Sequence, residues 1–345
     1  MEGGGGYNRA SKVQAASVLS IQPWLEQAAA AVTLDAPLYI ADYGSSQGLN
    51  SLAPMSLLIE RLRQRCGAEH PIVVLHVDLP GNDFRCLFDT LEHHEQSYLR
   101  TDAATYAFAA GRSFYRSVAP ANSVTLGWSA WAVQWLSTAP VDIPDHIHSA
   151  FTRSSEIQAV YARQAAQDWQ IFLTHRGQEL KRSGRLLVMT MARDAQNSFG
   201  YERLVDALYR GLLDLVDTGL ISQDEVLRMS IPTYGRNREE LLAPFSSSGE
   251  FAGLSVEQAE IFSGTDWIWE QFEQDGDAQQ FGAHWAAFSR ASTFPTLAAN
   301  LRRANDTAWR NQFFDALERA MQARLAIAPE PTNIPLAKLL LVKNR

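Results

Sequence analysis

The sequence predicts an α/β fold, in which a mostly parallel β-sheet is covered by helices and a helical cap is built from insertions. Short apolar runs bounded by turn residues alternate with stretches whose apolar residues recur every three or four positions. Strands that alternate with helices form parallel sheets that are buried on both faces. In the second half of the chain helical periodicity dominates, which predicts the cap.

The first half of the chain supplies four predicted strands and three predicted helices. The strands are compact apolar runs at 38–42, 71–78, 123–127 and 185–191. The helices show three- and four-residue spacing of apolar residues over 54–65, 84–99 and 150–180. We expect the long third helix to end near Arg182, with Gly184 as its C-cap.

Helical spacing covers two long stretches of the second half, residues 199–219 and 278–326. Two weaker strand predictions interrupt this pattern, at 227–231 and 250–254. The apolar run 337–342 predicts a last strand that is suited to closing the sheet.

These elements predict a core and a cap that are both discontinuous in sequence. The predicted α/β core comprises residues 1–140, 166–195, 226–262 and 327–345. The predicted cap comprises residues 141–165, 196–225 and 263–326 and covers the ligand pocket of the core. A chain of 345 residues is long enough for such a two-part organisation, since domains average about 150 residues.

The composition is that of a globular protein, and it limits the classes of partner. There are 30 Lys and Arg residues against 38 Asp and Glu, and the net charge of −8 argues against nucleic-acid binding, which needs basic residues. No run approaches the roughly 20 apolar residues of a membrane span, and the first residues do not resemble a signal peptide. Cys66 and Cys86 form no metal-binding pair. We therefore expect a cytoplasmic protein that binds neither nucleic acid nor membranes.

The clearest chemical signal is segment 41–50, Ala-Asp-Tyr-Gly-Ser-Ser-Gln-Gly-Leu-Asn, directly after the first predicted strand. Gly44 and Gly48 let the backbone approach a ligand at the carboxyl ends of the strands. Their spacing matches neither the dinucleotide nor the phosphate-loop motif, which argues against a nicotinamide dehydrogenase. Asp78 ends the second strand, where a carboxylate can bind a ribose diol.

Together with Asp42, these features suit an adenosine ligand without a phosphate linkage, and S-adenosylmethionine (SAM) is the leading candidate. The alternative is purely structural. In that case the two glycines make a tight turn, while Asp42 and Asp78 cap helices.

Other polar clusters carry no comparable signal. Adjacent His93 and His94 point to different faces of a helix. Segment 142–148 contains two Asp and two His residues, but it lacks a recognisable spacing of metal ligands. Ser45 and Ser46 do not lie in a G-x-S-x-G elbow, which argues against a serine hydrolase. We expect no bound metal.

Five segments carry a family resemblance. They are Met1-Glu-Gly-Gly with Tyr7-x-x-x-Ser11-x-x-Gln14, residues 41–50, His76-Val-Asp-Leu-Pro-Gly-Asn-Asp-Phe84, Arg112-Ser-Phe-Tyr115 and Trp128-Ser-Ala-Trp-Ala-Val-Gln-Trp-Leu-Ser137. In this order they resemble motifs of the SABATH family of SAM-dependent carboxyl methyltransferases, which includes salicylate, benzoate and jasmonate methyltransferases. Weaker similarities extend to Pro295. The resemblance implies a Rossmann-like class I methyltransferase core beneath the helical cap, and a homodimer.

The resemblance also implies roles for the residues at matching positions. The residues at matching positions that are expected to bind SAM are Ser11, Asp42, Asn50, Asp78, Leu79, Ser113 and Phe114. Gly44, the first glycine of segment 41–50, is expected to approach the same ligand. Asp78 is expected to bind the ribose hydroxyls, and Phe114 to lie against the adenine. The substrate carboxylate is expected to bind two neutral donors, the amide of Gln14 and the indole N–H of Trp135.

The substrate pocket is implied to be lined by Tyr7, Trp128, Trp131, Gln134, Leu204 and Val205. The three tryptophans of segment 128–137 recur at i, i+3 and i+7, and they share one face if that segment is helical. The alternative is that this stripe belongs to the core. Gln134 indicates a substrate with a second polar group.

The expected reaction converts a small carboxylic acid to its methyl ester and SAM to S-adenosylhomocysteine (SAH). A carboxylic acid with a pKa of about 4 is ionised at pH 7, so this in-line transfer needs no general base. Glu2, Arg112 and Trp128 depart from the family pattern and mark a divergent, bacterial-type member. Two alternatives therefore stay open, an N-methyltransferase acting on a xanthine-like heterocycle and a non-catalytic ligand-binding homologue.

Overall fold

The computed structural model describes residues 19–344, and the structural statements below concern this part of the chain. Its strands form one sheet: β1 Leu38–Tyr43, β2 Ile72–Asp78, β3 Thr105–Gly111, β4 Val124–Ala130, β5 Leu180–Met191, β6 Glu250–Phe251, β7 Leu254–Ser263 and β8 Pro335–Lys343. The strand order is β3-β2-β1-β4-β5-β8-β7-β6. The first five strands pair in parallel, and the last three join them antiparallel. The predicted α/β class with a mostly parallel sheet is confirmed.

The helices flank and extend this sheet. They are α1 Gln22–Ala31, α2 Leu49–Cys66, α3 Phe84–His93, α4 Tyr98–Thr101, α5 Ser155–Glu179, α6 Glu202–Asp217, α7 Gln223–Val226, α8 Arg238–Leu242, α9 Trp267–Asp275, α10 Ala278–Ser292, α11 Phe294–Ala298 and α12 Thr307–Ile327. Side-chain caps explain where the longest begin: Ser154 accepts a hydrogen bond from the Ile157 N–H, and Asp306 accepts one from Trp309. Within residues 19–344 no helix is both long and apolar enough to cross a membrane.

The sheet is buried on both faces. In β1, Leu38 and Ile40 contact a core that includes α1 and α2, whereas Ala41 and Tyr43 contact a second core that includes Trp169 of α5. The first core continues into α6, α10 and α12, and both α6 and α10 pack against α12. The division into core and cap at the predicted boundaries stays a prediction.

Most of the apolar runs form strands close to their predicted positions. The strand predicted at 227–231 is wrong, because this segment follows α7 without joining the sheet, and Ile231 N–H donates to Ile147 O at 2.8 Å. The run 250–254 is a hairpin whose second strand, β7, continues to Ser263. Strand β3 was not predicted. It is an edge strand in which exposed Tyr106 and Phe108 alternate with small residues, so no compact apolar run marks it.

Gly184 is not a helix C-cap. Helix α5 ends at Glu179, and the next residue already begins β5, so Gly184 lies within the strand. A Cβ atom there would lie 2.8 Å from the carbonyl oxygen of Lys181 and 3.1 Å from that of Thr125. The glycine therefore allows close approach of β5 to β4. The helices predicted over 84–99 and 278–326 are also divided, into α3 and α4 and into α10, α11 and α12.

A buried ion pair at the end of α5 ties three parts of the fold together. Arg176 and Glu179 are fully buried, with Nη2 and Oε1 2.9 Å apart. Glu179 also accepts hydrogen bonds from the Tyr43 hydroxyl of β1 at 2.9 Å and from the Val118 N–H at 2.6 Å. Arg176 donates to the carbonyl oxygen of Phe114. The pair therefore holds segment 114–118 against β1 and α5.

Replacing Glu179 by Ala should lower the free energy of unfolding by about 3–5 kcal/mol, because it leaves the Arg176 guanidinium buried without its counter-charge. Urea denaturation measures this change. The matched control is Asp206→Ala, which breaks an exposed ion pair with Arg210 on α6 and should cost less than about 1 kcal/mol. Equal effects of the two substitutions would contradict the role of the buried pair.

Candidate functional site

The sheet order creates a crevice between β1 and β4. The chain leaves β1 towards β2 and β3 on one side, whereas β4 leads to β5 on the other. Loops that follow neighbouring strands at such a switch point diverge and leave room for a ligand. At their base the two loops are in close contact: Gly44 has φ +96°, and a Cβ on it would lie 2.3 Å from the Cβ of Ala132. Only glycine fits this approach.

The loop after β1 is held by the end of β2. The N–H groups of Gly44 and Ser45 donate to Val77 O, at 2.8 and 3.1 Å. The Asp78 carboxylate accepts hydrogen bonds from the N–H groups of Ser46 and Leu79, both at 2.7 Å. Burial raises the pKa of Asp78, and these two N–H donors oppose the rise. The carboxylate is thereby fixed at the carboxyl end of β2.

A cavity of about 380 Å³ lies at this crevice, within the size range of small-molecule sites. Five of the predicted SAM-binding residues line it: Gly44, Asp78, Leu79, Ser113 and Phe114. Asp42 and Asn50 do not line the cavity, and Ser11 lies outside the described residues. The structure therefore brings most of the predicted cofactor residues together from three separate loops.

Asp42 belongs instead to a buried polar network behind the loop. Its Oδ2 accepts a hydrogen bond from the Ser51 hydroxyl at 2.6 Å and lies 2.9 Å from Nδ1 of His76. The other ring nitrogen of His76 lies 2.8 Å from the Tyr98 hydroxyl. All four side chains are buried. Asp42 thus links β1 to β2 and to the first turn of α2.

The predicted substrate residues divide in the same way. Trp131, Gln134, Trp135, Leu204 and Val205 line the cavity. Tyr7 and Gln14 lie outside the described residues.

Trp128 does not line the cavity. It lies in β4, is 1% exposed and packs in the core. The helical face considered for the three tryptophans does not form, because segment 128–135 is the end of a strand followed by a loop.

Hydrogen bonds fix the loop after β4. The Gln134 side chain donates to Trp131 O at 2.7 Å and accepts from the Thr190 hydroxyl at 3.0 Å. The Tyr115 hydroxyl donates to Trp135 O at 2.6 Å. Buried Arg236 donates to Val133 O at 2.8 Å. The indoles of this loop therefore project from a backbone that is held at several points.

His148 is a cavity residue that sequence reasoning missed. Its Nδ1 accepts a hydrogen bond from the Ala150 N–H at 3.1 Å, so the ring proton lies on Nε2, which donates to the Thr233 hydroxyl at 2.9 Å. Its ring stacks on Phe199 with centroids 4.5 Å apart. Burial lowers the pKa of His148 to about 3, which keeps it neutral. The only signal in the sequence was the Asp and His content of segment 142–148, which was set aside because it lacks the spacing of metal ligands.

The remaining lining comes from distant segments that no motif marks. Examples are Met191, Phe199, Tyr201, Leu208, Ile231 and Phe288. Among the described residues that line the cavity, none is Lys or Arg, and Asp78 is the only acid. Nor do residues 19–344 contain a group of three His, Cys, Asp or Glu side chains placed to hold a metal ion. The cavity is therefore largely apolar, with neutral hydrogen-bond donors.

Comparisons with known proteins agree with this geometry. Salicylate carboxymethyltransferase of Clarkia breweri is 28% identical over 318 residues, covering 86% of each chain. Probable 7-methylxanthine methyltransferase 3 of Theobroma cacao is 28% identical over 270 residues, covering 72% of this chain and 73% of that one. The solved structure of a loganic acid methyltransferase with SAH has the same fold, with a TM-score of 0.78, 20% identity, and coverage of 100% of this chain and 99% of that one.

The family model of SAM-dependent carboxyl methyltransferases matches residues 1–342, almost the whole chain. The recognition of the SABATH resemblance is confirmed. The protein thus belongs to the SAM-dependent carboxyl methyltransferase family, enzymes that methylate the carboxyl group of a small acid with SAM as the methyl donor.

Proposed function

We propose that this enzyme methylates a small, largely apolar carboxylic acid that binds between Trp135 and the helices α6 and α10. The observation that carries the proposal is the composition of the cavity. It places neutral donors and apolar side chains beside Gly44 and Asp78, which belong to the predicted cofactor site. Such a lining suits an anion whose body is apolar and whose charge is held by hydrogen bonds.

The residues at the crevice fit SAM. Gly44 leaves space where any other residue would meet Ala132, and Asp78 presents a fixed carboxylate suited to ribose hydroxyls. Phe114 offers an aromatic ring for the adenine, and its backbone is anchored by Arg176. When bound, SAM supplies a methyl group attached to a sulfonium sulfur. Once the methyl group is transferred, the leaving group is the neutral thioether SAH. Ser11, Asp42 and Asn50 stay predicted SAM-binding residues.

The substrate carboxylate is proposed to bind the Trp135 indole N–H and the Gln14 amide. Both groups are neutral donors, so they orient an ionised carboxylate without neutralising it. The acid is already ionised at pH 7, and the described cavity residues therefore need to position it and exclude water, not remove a proton. Positioning alone can contribute up to about 7–11 kcal/mol to lowering the barrier.

This lining favours a carboxylate over a heterocyclic nitrogen. An N–H nucleophile has to lose its proton, but both ring nitrogens of His148 are engaged, and Asp78 is the carboxylate proposed to bind the ribose hydroxyls. The Trp135 indole and the Gln134 amide do not take up a proton near pH 7, so they can position a substrate but cannot act as a base. N-methylation of a xanthine-like compound is thus the alternative outcome of the assay below.

Two further features are proposed. Homodimer formation is expected from the family resemblance, and exposed Tyr106 and Phe108 on the edge strand β3 provide an apolar face that a second copy would cover. A cytoplasmic location agrees with the two cysteines, Cys66 and Cys86, which form no disulfide bond.

The test of the function is methyl transfer from methyl-labelled SAM to a panel of small carboxylic acids, xanthines and phenols. We expect a base-labile methyl ester from at least one acid and no labelled xanthine or phenol. A labelled xanthine as the only product would favour the N-methylating alternative. Binding of SAM without any labelled product would favour a non-catalytic ligand-binding protein.

Two substitutions should separate cofactor binding from turnover. Asp78→Asn should weaken SAM binding at least about tenfold, because one amide oxygen cannot replace two carboxylate oxygens that already accept two N–H bonds. Trp135→Phe should leave the dissociation constant of SAM within about twofold and lower kcat/KM for the acid at least about tenfold, because it removes one donor. Calorimetry and steady-state kinetics measure the two effects.

Matched controls are available outside the cavity. Asp142→Asn changes an exposed carboxylate, and Trp24→Phe removes an indole N–H from α1; neither residue lines the cavity. Both variants should bind SAM and turn over like the parent protein. If Trp135→Phe retains full kcat/KM, Trp135 does not hold the carboxylate.

The neutral state of His148 predicts a loss of stability in acid. Between pH 6.5 and about 3 the unfolded chain binds a proton at His148 that the folded chain does not, so the free energy of unfolding falls as the pH falls. The contribution is complete above pH 6.5 and is lost at up to about 1.4 kcal/mol per pH unit below it. Urea denaturation of the parent protein and of His148→Gln between pH 7.5 and 4.5 should give curves that converge in acid.

A stability curve for His148→Gln that runs parallel to that of the parent protein between pH 7.5 and 4.5 would contradict the neutral buried state of His148.

A further inference from the structure

Two buried polar groups of the cavity lining have no hydrogen-bond partner among residues 19–344. Nε1 of Trp131 and the hydroxyl of Tyr201 are fully buried, and neither has a hydrogen-bond partner within the described part of the chain. The two residues are 8% and 3% exposed, and both line the cavity. Folded proteins pair nearly all buried polar groups, so unpaired ones at a ligand cavity point to the ligand as the missing partner.

The backbone at both positions is held in an unfavourable conformation. Trp131 has φ +54° and Tyr201 has φ +58°, which bulky side chains rarely adopt. Each is fixed by a hydrogen bond from its own N–H, Trp131 to Met189 O at 2.9 Å and Tyr201 to Asn333 O at 3.2 Å. Such backbone outliers concentrate at functional sites, where the surrounding structure maintains them.

The neighbouring polar groups are already occupied. The Gln134 amide binds Trp131 O and the Thr190 hydroxyl, and both nitrogens of His148 are engaged. The Tyr115 hydroxyl donates to Trp135 O. These groups therefore do not account for the unpaired hydrogens of Trp131 and Tyr201.

We propose, on the basis of the function proposed above, that Trp131 and Tyr201 form a subsite for a neutral oxygen substituent of the acid, remote from its carboxylate. An indole N–H can only donate, so the substituent has to accept; a hydroxyl, ether or oxo group meets this need, and an ammonium does not. No described lining residue is Lys or Arg, so a second carboxylate would lack a counter-charge. The substrate class is thus an apolar acid that carries one neutral oxygen function.

The experiment compares pairs of acids that differ only in this substituent. The parent acids are phenylacetate and 3-phenylpropanoate. Each is compared with its positional isomers that carry one hydroxyl or one methoxy group on the ring. A derivative with an aminomethyl group on the ring is the cationic counterpart. We expect kcat/KM to be at least about tenfold higher for one oxygenated isomer than for its parent acid, and no gain from the aminomethyl group. Calorimetric titration of the same acids into the SAH-loaded protein should give the same order of affinity.

The variants are Tyr201→Phe and Trp131→Phe, each of which removes one donor and keeps an aromatic ring. Each should reduce the preference for the oxygenated acid over its parent acid at least about threefold, measured as the ratio of their kcat/KM values and as the ratio of their affinities. The matched control is Tyr209→Phe, which removes a hydroxyl from helix α6, the helix that begins directly after Tyr201, at a residue that does not line the cavity. It should leave the ratio unchanged.

The outcomes distinguish this subsite from the underlying function. Methyl esters formed with equal kcat/KM from parent and oxygenated acids would overturn the subsite and retain carboxyl methylation. If Tyr201→Phe and Trp131→Phe leave the ratio of kcat/KM between oxygenated and parent acids unchanged, the subsite is also overturned. Donors that bind only a water molecule would change kcat/KM for all acids by the same factor. Absence of any methyl ester from a protein that binds SAM would overturn both proposals.

Discussion

The contact between the loop after β1 and the loop after β4 is the constraint on which the cavity depends. Gly44 lies so close to Ala132 that a side chain at position 44 cannot be accommodated. Asp78 in turn fixes the β1 loop through Ser46 and lines the cavity itself. Because the β4 loop carries Trp131 and Trp135, one backbone approach sets the cofactor residues and the substrate residues relative to each other.

Charge is distributed so that the reacting anion meets no fixed cation in the described cavity. A Lys or Arg beside the carboxylate would stabilise it in the ground state and reduce its reactivity towards a methyl sulfonium. The lining avoids this, and burial keeps His148 neutral as well. Two buried arginines hold segments next to the cavity without lining it. Arg176 binds Glu179 and the carbonyl oxygen of Phe114, and Arg236 binds the carbonyl oxygens of Val133 and Ala165. Their positive charge is used to hold loops.

The features of the site that depend on neighbouring residues in the chain can be predicted from the sequence. The strand, glycine turn and acid at β1 and β2 follow from short-range spacing, and five of the predicted SAM-binding residues do line the cavity. Trp128 shows where such reasoning fails: helical spacing placed it beside Trp131, but β4 turns its indole into the core. Tyr201 and His148 were missed because each reaches the cavity through tertiary packing, which spacing along the chain does not encode.

The positions of these residues in the chain separate reaction from selectivity. The groups proposed to hold SAM and the carboxylate come from loops of the parallel sheet, whose geometry is set by strand order and by Gly44. Much of the remaining apolar lining comes from Phe199, Tyr201 and helix α6, with Phe288 of α10. A change at Tyr201 alters what the body of the acid meets without moving β1 or β4. Members of one family can therefore keep a methyl-transfer site and differ in substrate.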